Sequence, residues 1–339
     1  MSTMRVMVIP KAGAKLVLEE RDLPTPGTHE VRIRVHACGV CHSDSITVEG
    51  YMPGIGYPRV PGHEVIGTID AIGADVEGWA VGVRVGVGWF PGSCGYCPQC
   101  RRDNAFACEN AKGATGVTRD GGYATHMLAH MSALAHVPAS LDSIESAPLL
   151  CAGITTFNAL RNSGAGAGDL VAIHGVGGLG HLGIQFAARL GFRTVAVNRG
   201  RDKEELARSL GAHDYIDSAA DDPAAALLAM GGARAIIATV TSADAMQAIV
   251  GGLGPNGTMM MIGAVGPITI NPIELLSKRA SVRGWYSGTG VDSEDTLAFS
   301  ERNAVASMNE IYPFEEAQAA YDRMMSGKAR FRVVLKIGG

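Results

Sequence analysis

No basic tract, no long apolar run and no periodic repeat occurs in this chain, and each absence excludes a class of protein. Among 339 residues, 29 lysines and arginines stand against 33 aspartates and glutamates, for a formal net charge of −4. Without a basic patch, nucleic acid is not expected as a partner. No stretch of eighteen apolar residues escapes interruption by glycine or polar groups, so no membrane span is expected. The start, with Arg5-Val6-Met7-Val8-Ile9, reads as a short strand and lacks the charged and apolar regions of a signal peptide. The 45 glycines are scattered at turns and do not recur at a fixed period, which excludes a solenoid.

What is present is a chain rich enough in apolar residues (47%, with 18% charged) to bury a large core, and long enough for two domains. Its seven cysteines, at 38, 41, 94, 97, 100, 108 and 151, are odd in number and follow no signal peptide. That suits a reducing cytosol, where clustered cysteines bind metal more often than they form disulfides. A cytoplasmic location is the corresponding expectation.

Residues 1–148 read as β-rich. Val31-Arg32-Ile33-Arg34-Val35 alternates apolar and charged side chains, Glu64 to Ile69 and Arg84 to Val87 read as further strands, and glycine and proline punctuate the gaps. Strand and helix patterns then alternate over 149–283, which predicts a parallel, doubly wound sheet. From 284 the chain reads like its first region again, with a helix at Glu315 to Ser326 and a last strand at Phe331 to Leu335. The expected organisation is therefore a discontinuous β-rich domain, 1–148 with 284–339, and an inserted α/β domain, 149–283.

Three motifs carry chemistry. Cys94, Cys97, Cys100 and Cys108, spaced C-x2-C-x2-C-x7-C, fit a closed tetrahedral zinc site, which is structural because catalysis needs an open position. Cys41, His63 and Cys151, distant in sequence, fit a three-ligand site with a fourth position open; from the residues alone, a core histidine and a buried thiol fit as well. Gly175-Val176-Gly177-Gly178-Leu179-Gly180 follows an apolar strand and opens a helix, the context of a pyrophosphate-binding turn. The next strand ends in Asn198 and Arg199, with Lys203 behind, where an acidic residue would favour NAD. Asn198 does not repel a 2′-phosphate and Arg199 pairs with one, so NADP is preferred and NAD is the alternative.

Gly39-Val40-Cys41-His42-Ser43-Asp44, Pro61-Gly62-His63-Glu64, the four-cysteine loop, Leu150-Cys151-Ala152-Gly153 and the glycine turn occur in an order that resembles the zinc-dependent alcohol dehydrogenases of the medium-chain dehydrogenase/reductase superfamily. The similarity spans essentially the whole chain and extends to the bacterial, yeast-type and cinnamyl-alcohol-dehydrogenase-like branch. It implies an α/β protein with a GroES-like catalytic domain and a Rossmann domain, two zinc ions per subunit and a nicotinamide cofactor. By that resemblance, Cys41, His63 and Cys151 hold the catalytic zinc, Glu64 enters its shell during ligand exchange, and Asp44 orients His63. Cys94, Cys97, Cys100 and Cys108 hold the structural zinc. Zinc lowers the pKa of a bound alcohol, its alkoxide passes hydride to C4 of the nicotinamide, and the proton leaves through Ser43; in reverse an aldehyde is reduced. His42, Thr155, Gly175, Gly177, Gly178, Leu179, Gly180, Asn198, Arg199, Lys203 and Arg332 contact the cofactor, and Trp89 lines the substrate pocket. The relay histidine found in many relatives five residues after the first zinc cysteine is Ile46 here. Cys38 is left over as a buried inert thiol. A polyol or amino-alcohol dehydrogenase is the alternative enzyme, disfavoured because those often carry Glu in place of Cys151. A homodimer or homotetramer is expected, with Thr258 to Ile262 and Val265-Gly266-Pro267-Ile268 extending a sheet across subunits.

Overall fold

Short runs of valine and isoleucine, each closed by glycine or proline, set the strands of the first part of the chain. In the computed structural model, which describes residues 2–263 and 266–338, these are β1 (Thr3–Val8), β2 (Val17–Asp22), β3 (Glu30–Val40), β4 (Val65–Ile72), β5 (Arg84–Val87), β6 (His126–His130) and β7 (Leu134–His136). Only short helices interrupt them: α1 (Ser45–Glu49) and α2 (Ser143–Ser146). The α/β part follows with α3 (Ala152–Arg161), β8 (Leu170–His174), α4 (Gly180–Arg189), β9 (Arg193–Asn198), α5 (Glu204–Ser209) and β10 (Asp214–Asp217). It continues with α6 (Pro223–Ala229), β11 (Ala233–Ala238), α7 (Ala243–Ala248), β12 (Leu253–Met261), α8 (Pro272–Lys278) and β13 (Ser281–Gly284). The chain closes with α9 (Gly290–Asn303), β14 (Asn309–Pro313), α10 (Ala317–Met325) and β15 (Arg332–Lys336).

Two units result, Met1–Ile154 with Gly288–Gly339, and Thr155–Ser287. The boundaries fall a few residues beyond the expected 148/149 and 283/284, for reasons of packing. Leu150 is fully buried and lies directly on Gly86 of β5, where an added Cβ would meet it at 2.9 Å. That holds Cys151 in the first unit with Cys41 and His63. At the other end the Trp285 N–H bonds Met261 O (3.1 Å) and Ser287 O accepts from Asn158 (3.0 Å), so the segment after β13 stays with the second unit.

In the first unit, among the described residues, a seven-stranded sheet runs β14-β15-β3-β4-β5-β7, with β6 also on β3. β3 is its centre. The register sets Cys38 against both Val65 of β4 and Leu335 of β15, and Val40 against Val333. Cys41, His63-Glu64 and Arg332 are thereby delivered to one end of three neighbouring strands. The core beneath is built from Val31, Ile33, Val35, Val65, Tyr123 and Phe314, all at most 1% exposed. This is the GroES-like architecture.

Among the described residues, the second unit holds a six-stranded, all-parallel sheet in the order β10-β9-β8-β11-β12-β13. Renumbered from its first strand, this is 3-2-1-4-5-6, the Rossmann order, whose ligand crevice lies at the carboxyl ends of the two central strands, here β8 and β11. Thr258 to Met261, expected at a sheet edge, lies in β12 between β11 and β13. Among the described residues β13 pairs on one side only, so the edge of the sheet here is β13, with β10 at the other end. Val265 lies outside the described residues, and Ile268 packs against the core of the second unit.

The chain after 284 was expected to hold one helix, and α9 is a second. It escapes a reading by apolar periodicity because its inner face is small and polar: Gly290, Ser293, Thr296 and Ser300 are buried beside Leu297. Its start is legible only as a capping box, in which the Thr289 side chain accepts from Asp292 N–H and the Asp292 carboxylate accepts from Thr289 N–H.

Candidate metal centre and nucleotide cleft

The end of β3 turns into a single 3₁₀ turn, His42–Asp44, and this turn sets the site. The Asp44 carboxylate, 2% exposed, accepts the Cys41 N–H at Oδ2 (2.9 Å) and the Tyr123 hydroxyl at the same oxygen (2.9 Å). Its Oδ1 lies 3.0 Å from His63 Nδ1. With Nδ1 facing a carboxylate, Nε2 is the nitrogen left to bind something else. His63 Nε2 is buried and has no protein partner.

Ligand atoms of Cys41, His63, Glu64 and Cys151 all lie within 4.8 Å of one another. The Cys41 and Cys151 sulfurs are 3.7 Å apart. Two thiolates about 2.3 Å from one tetrahedral zinc lie about 3.8 Å apart, so the spacing fits a shared metal and is far from a disulfide. The hydrogen bond between these thiols draws Cys41 well below its usual range, and the same bond pushes Cys151 up, as for two thiols sharing one proton. An orphaned imidazole nitrogen beside such a pair is the donor set that a divalent zinc ion satisfies.

Glu64 and Arg332 form a buried pair behind these ligands, Nη2 of Arg332 donating to Glu64 Oε1 and, at 3.5 Å, to Val40 O. Gly39 makes room for the carboxylate: a Cβ there would stand 1.8 Å from Glu64 Oε2. Burial pushes the Glu64 carboxyl up to about 8 against the pull of Arg332. Trp89 sets its ring edge-on to His63, centroids 4.8 Å apart. Ser43 and Ile46 are half-buried and His42 is exposed. Cys38 is fully buried, packed under Gly62 and Gly122, and belongs to neither cluster. Tyr123 was missed by sequence reading, since nothing in Gly121-Gly122-Tyr123 marks a buried hydroxyl bound for Asp44.

The four-cysteine loop gathers Cys94, Cys97, Cys100 and Cys108 with ligand atoms within 4.8 Å of one another. Sulfur separations of 3.5 Å (Cys97–Cys100), 3.6 Å (Cys94–Cys108) and 4.0 Å (Cys94–Cys100) again match corners of a tetrahedron. Donors converge on sulfur: Cys97 N–H (3.4 Å) and the Asn110 amide (3.3 Å) on Cys94, and Cys94 N–H (3.4 Å) on Cys108. Burial opposes the Cys94 thiolate, but the N–H groups of Tyr96 and Cys97, the Asn110 amide and the Cys108 thiol outweigh it and draw the thiol down to about 6.

In the second unit the glycine turn has the shape a dinucleotide needs. Gly175 sits at φ +100°, and a Cβ on Gly180 would stand 1.7 Å from Gly175 O, so both must be glycine. A Cβ on Gly177 would meet nothing within 4 Å, which leaves that backbone open to a ligand. Gly178 and Leu179 lead into the first turn of α4, and Thr155 on α3 is nearly buried. Asn198 Oδ1 accepts the Val176 N–H (3.2 Å), and Lys203 Nζ donates to Val176 O (2.8 Å), so both side chains clamp the turn. The cleft at this end of the sheet is about 480 Å³ and includes Asn198, exposed Arg199, Lys203 and Ser218. Asp217, the nearest acid on the neighbouring strand, is turned to the N–H groups of Gly200 (2.7 Å) and Ala219 (2.9 Å). His174, also missed in the sequence, ends β8 at the head of this cleft.

Two cysteine-based clusters that could hold metal in one unit, and a 3-2-1-4-5-6 sheet in the other, are the parts found in zinc-binding dehydrogenases. Two family models match: the alcohol dehydrogenase GroES-like domain over residues 27–139 and the zinc-binding dehydrogenase domain over 178–302. The chain is 41% identical to the alcohol dehydrogenase notN of Aspergillus sp. (strain MF297-2) over 333 residues, 98% of each chain. It is 40% identical to the alcohol dehydrogenase patD of Penicillium expansum over 334 residues, again 98% of each. The solved structure of AibC superimposes with a TM-score of 0.91 at 29% identity, covering 99% of this chain and 96% of that one. The chain belongs to the zinc-type medium-chain alcohol dehydrogenases.

Proposed function

We propose that this protein is a zinc-dependent alcohol dehydrogenase and aldehyde reductase that prefers NADP to NAD. The observation that carries the reading is the buried His63 Nε2, without a partner and flanked by two thiols 3.7 Å apart. Zinc there would polarise an alcohol or carbonyl oxygen, and a nicotinamide dinucleotide would carry the hydride. The chain's own residues do the rest. Asp44 fixes the His63 tautomer, and Tyr123 fixes Asp44. Ser43, half-buried two residues after Cys41, takes up the hydroxyl proton and passes it outward. With Ile46 in place of a histidine, water or His42 completes that path. Trp89 walls the site beside His63 and excludes water from it. Cys94, Cys97, Cys100 and Cys108 hold a second zinc whose role is structural. NADP is favoured because Asn198 and Arg199 line the nucleotide cleft and Asp217 is committed to backbone amides.

Location and assembly complete the proposal. The protein works in the cytoplasm; among the described residues no helix is long and apolar enough to cross a membrane. It assembles as a homodimer or homotetramer through the open β13 edge, and Ile273 and Leu276 of α8, the helix that leads into β13, are 71% and 76% exposed. The test of the whole is metal analysis with initial rates for NADP and NAD against primary, aromatic and secondary alcohols. Two zinc ions per chain and a higher kcat/KM with NADP are expected. A protein active without zinc, or one using NAD as well as NADP, overturns the corresponding part.

A further inference from the structure

His174 is the one ionisable side chain at the floor of the nucleotide cleft that no part of the proposed chemistry uses. It ends β8 and projects to the same face as Leu170 and Ala172, two residues of the apolar core of the second unit. Around it that core gives way to small groups, Pro223 on α6, Ala245 and Ala248 on α7, and Ser242 at the α7 cap, which leave the cleft open. The backbone at His174 is fully engaged: its carbonyl accepts from both the N–H (3.0 Å) and the hydroxyl (2.9 Å) of Thr239. The ring is not. Only 3% of the residue is exposed, and Nδ1 is buried without any partner. Burial alone pushes its pKa down to about 4, so at neutral pH the imidazole is uncharged, with one N–H donor and one acceptor nitrogen.

A polar ring atom left without a partner in an apolar site destabilises the unliganded fold, and an apolar ring of the same shape would relieve that cost. A position that keeps such an atom has a use for it in another state. The elements proposed to bind phosphate, Gly177, Arg199 and Lys203, border the same cleft, whose other walls mix apolar residues such as Val197, Pro223, Val240 and Ala245 with the hydroxyls of Ser218, Thr239 and Ser242. That combination suits a flat heteroaromatic base carrying both donors and acceptors.

We propose that His174 is a nucleobase-recognition residue, which hydrogen-bonds the adenine of the dinucleotide through its neutral imidazole. This rests on the dinucleotide reading above. One hydrogen bond between uncharged partners is worth about two- to tenfold in Kd.

The experiment measures NADPH and adenosine 2′,5′-bisphosphate binding by calorimetry, and unliganded thermal melting, for wild type, His174→Phe and His174→Gln. His174→Phe is expected to raise the unliganded melting temperature and to weaken both ligands by about fivefold. His174→Gln, which keeps a donor and an acceptor, should restore most of the affinity. The opposite signs of the two readouts separate a recognition residue from a packing one. Unchanged affinity in His174→Phe refutes the proposal. So does a loss seen with NADPH but not with the adenosine fragment, because the contact would then lie away from the base. Wild-type protein that binds no dinucleotide would refute the cofactor reading itself, and this proposal with it.

Discussion

Removing one buried hydroxyl, in Tyr123→Phe, tests how the metal centre is held. Tyr123 is fully buried and its O–H gives Asp44 one of three donors, beside the Cys41 N–H and His63 Nδ1. Phenylalanine keeps the ring that packs against Gly62, where a Cβ would stand 2.4 Å from Tyr123 Cδ1, so no cavity opens. What is lost is a hydrogen bond to a charged, buried acceptor, worth about 1.5–3 kcal/mol. For a unit of this size that corresponds to a melting temperature lower by about 3–12 °C. Loss of a direct histidine partner lowers metal affinity about 10–100-fold. Tyr123 acts one bond further out, so a loss of about tenfold or less is expected. The assay is thermal and urea unfolding of the zinc-loaded protein, with zinc release to a chromogenic chelator. A variant within about 0.5 kcal/mol of wild type, with unchanged zinc release, would show that Asp44 holds His63 without the tyrosine.

Cys151→Ala should lose the catalytic zinc and activity while keeping the fold and one zinc; full activity would remove Cys151 from the metal. Arg199→Ala should lower kcat/KM with NADP by about 10–100-fold and leave NAD unchanged; equal losses with both would place Arg199 elsewhere. Leu276→Lys should shift the sizing-column elution toward monomer, and an unchanged volume would free the β13 side from assembly. Arg323 grips Glu310 with two 2.8 Å bonds and holds its carboxyl below the usual range. A folded-state pKa below the unfolded one gives stability that is present above pH about 4.5 and lost as pH falls further. Glu310→Gln should therefore destabilise by about 1 kcal/mol or less at pH 7 and match wild type near pH 3; a gap that persists in acid would mean lost packing.

Local pattern carried most of the fold. Strands 84–87 and 214–217 stand where alternation or apolar runs set them, and the glycine turn opens α4 as its context required. The candidate ligands Cys41, His63 and Cys151 were legible only through the family motifs that order them, since from the residues alone a core histidine and a buried thiol fit as well; the structure brings the three together. What escaped depends on partners far along the chain. Tyr123 meets Asp44, and Leu150 draws Cys151 into the first unit through Gly86; neither has a local signature. α9 was hidden because serine and threonine fill the face where leucine would have announced it. His174 sat unremarked at the end of an apolar strand, where only three dimensions reveal a ring nitrogen, Nδ1, without a partner.

The segment from Cys94 to Cys108 has no core of its own. Its helices are two single turns, Cys100–Arg102 and Ala105–Ala107, and Tyr96 and Phe106 are 71% and 61% exposed. In polymer terms it is a loop tied together at four sulfurs, so on the zinc reading proposed above its order would be borrowed from an ion and not from water's aversion to oil. Stripped of that ion, the segment should become the place where a protease first cuts, while the sheets on either side still hold.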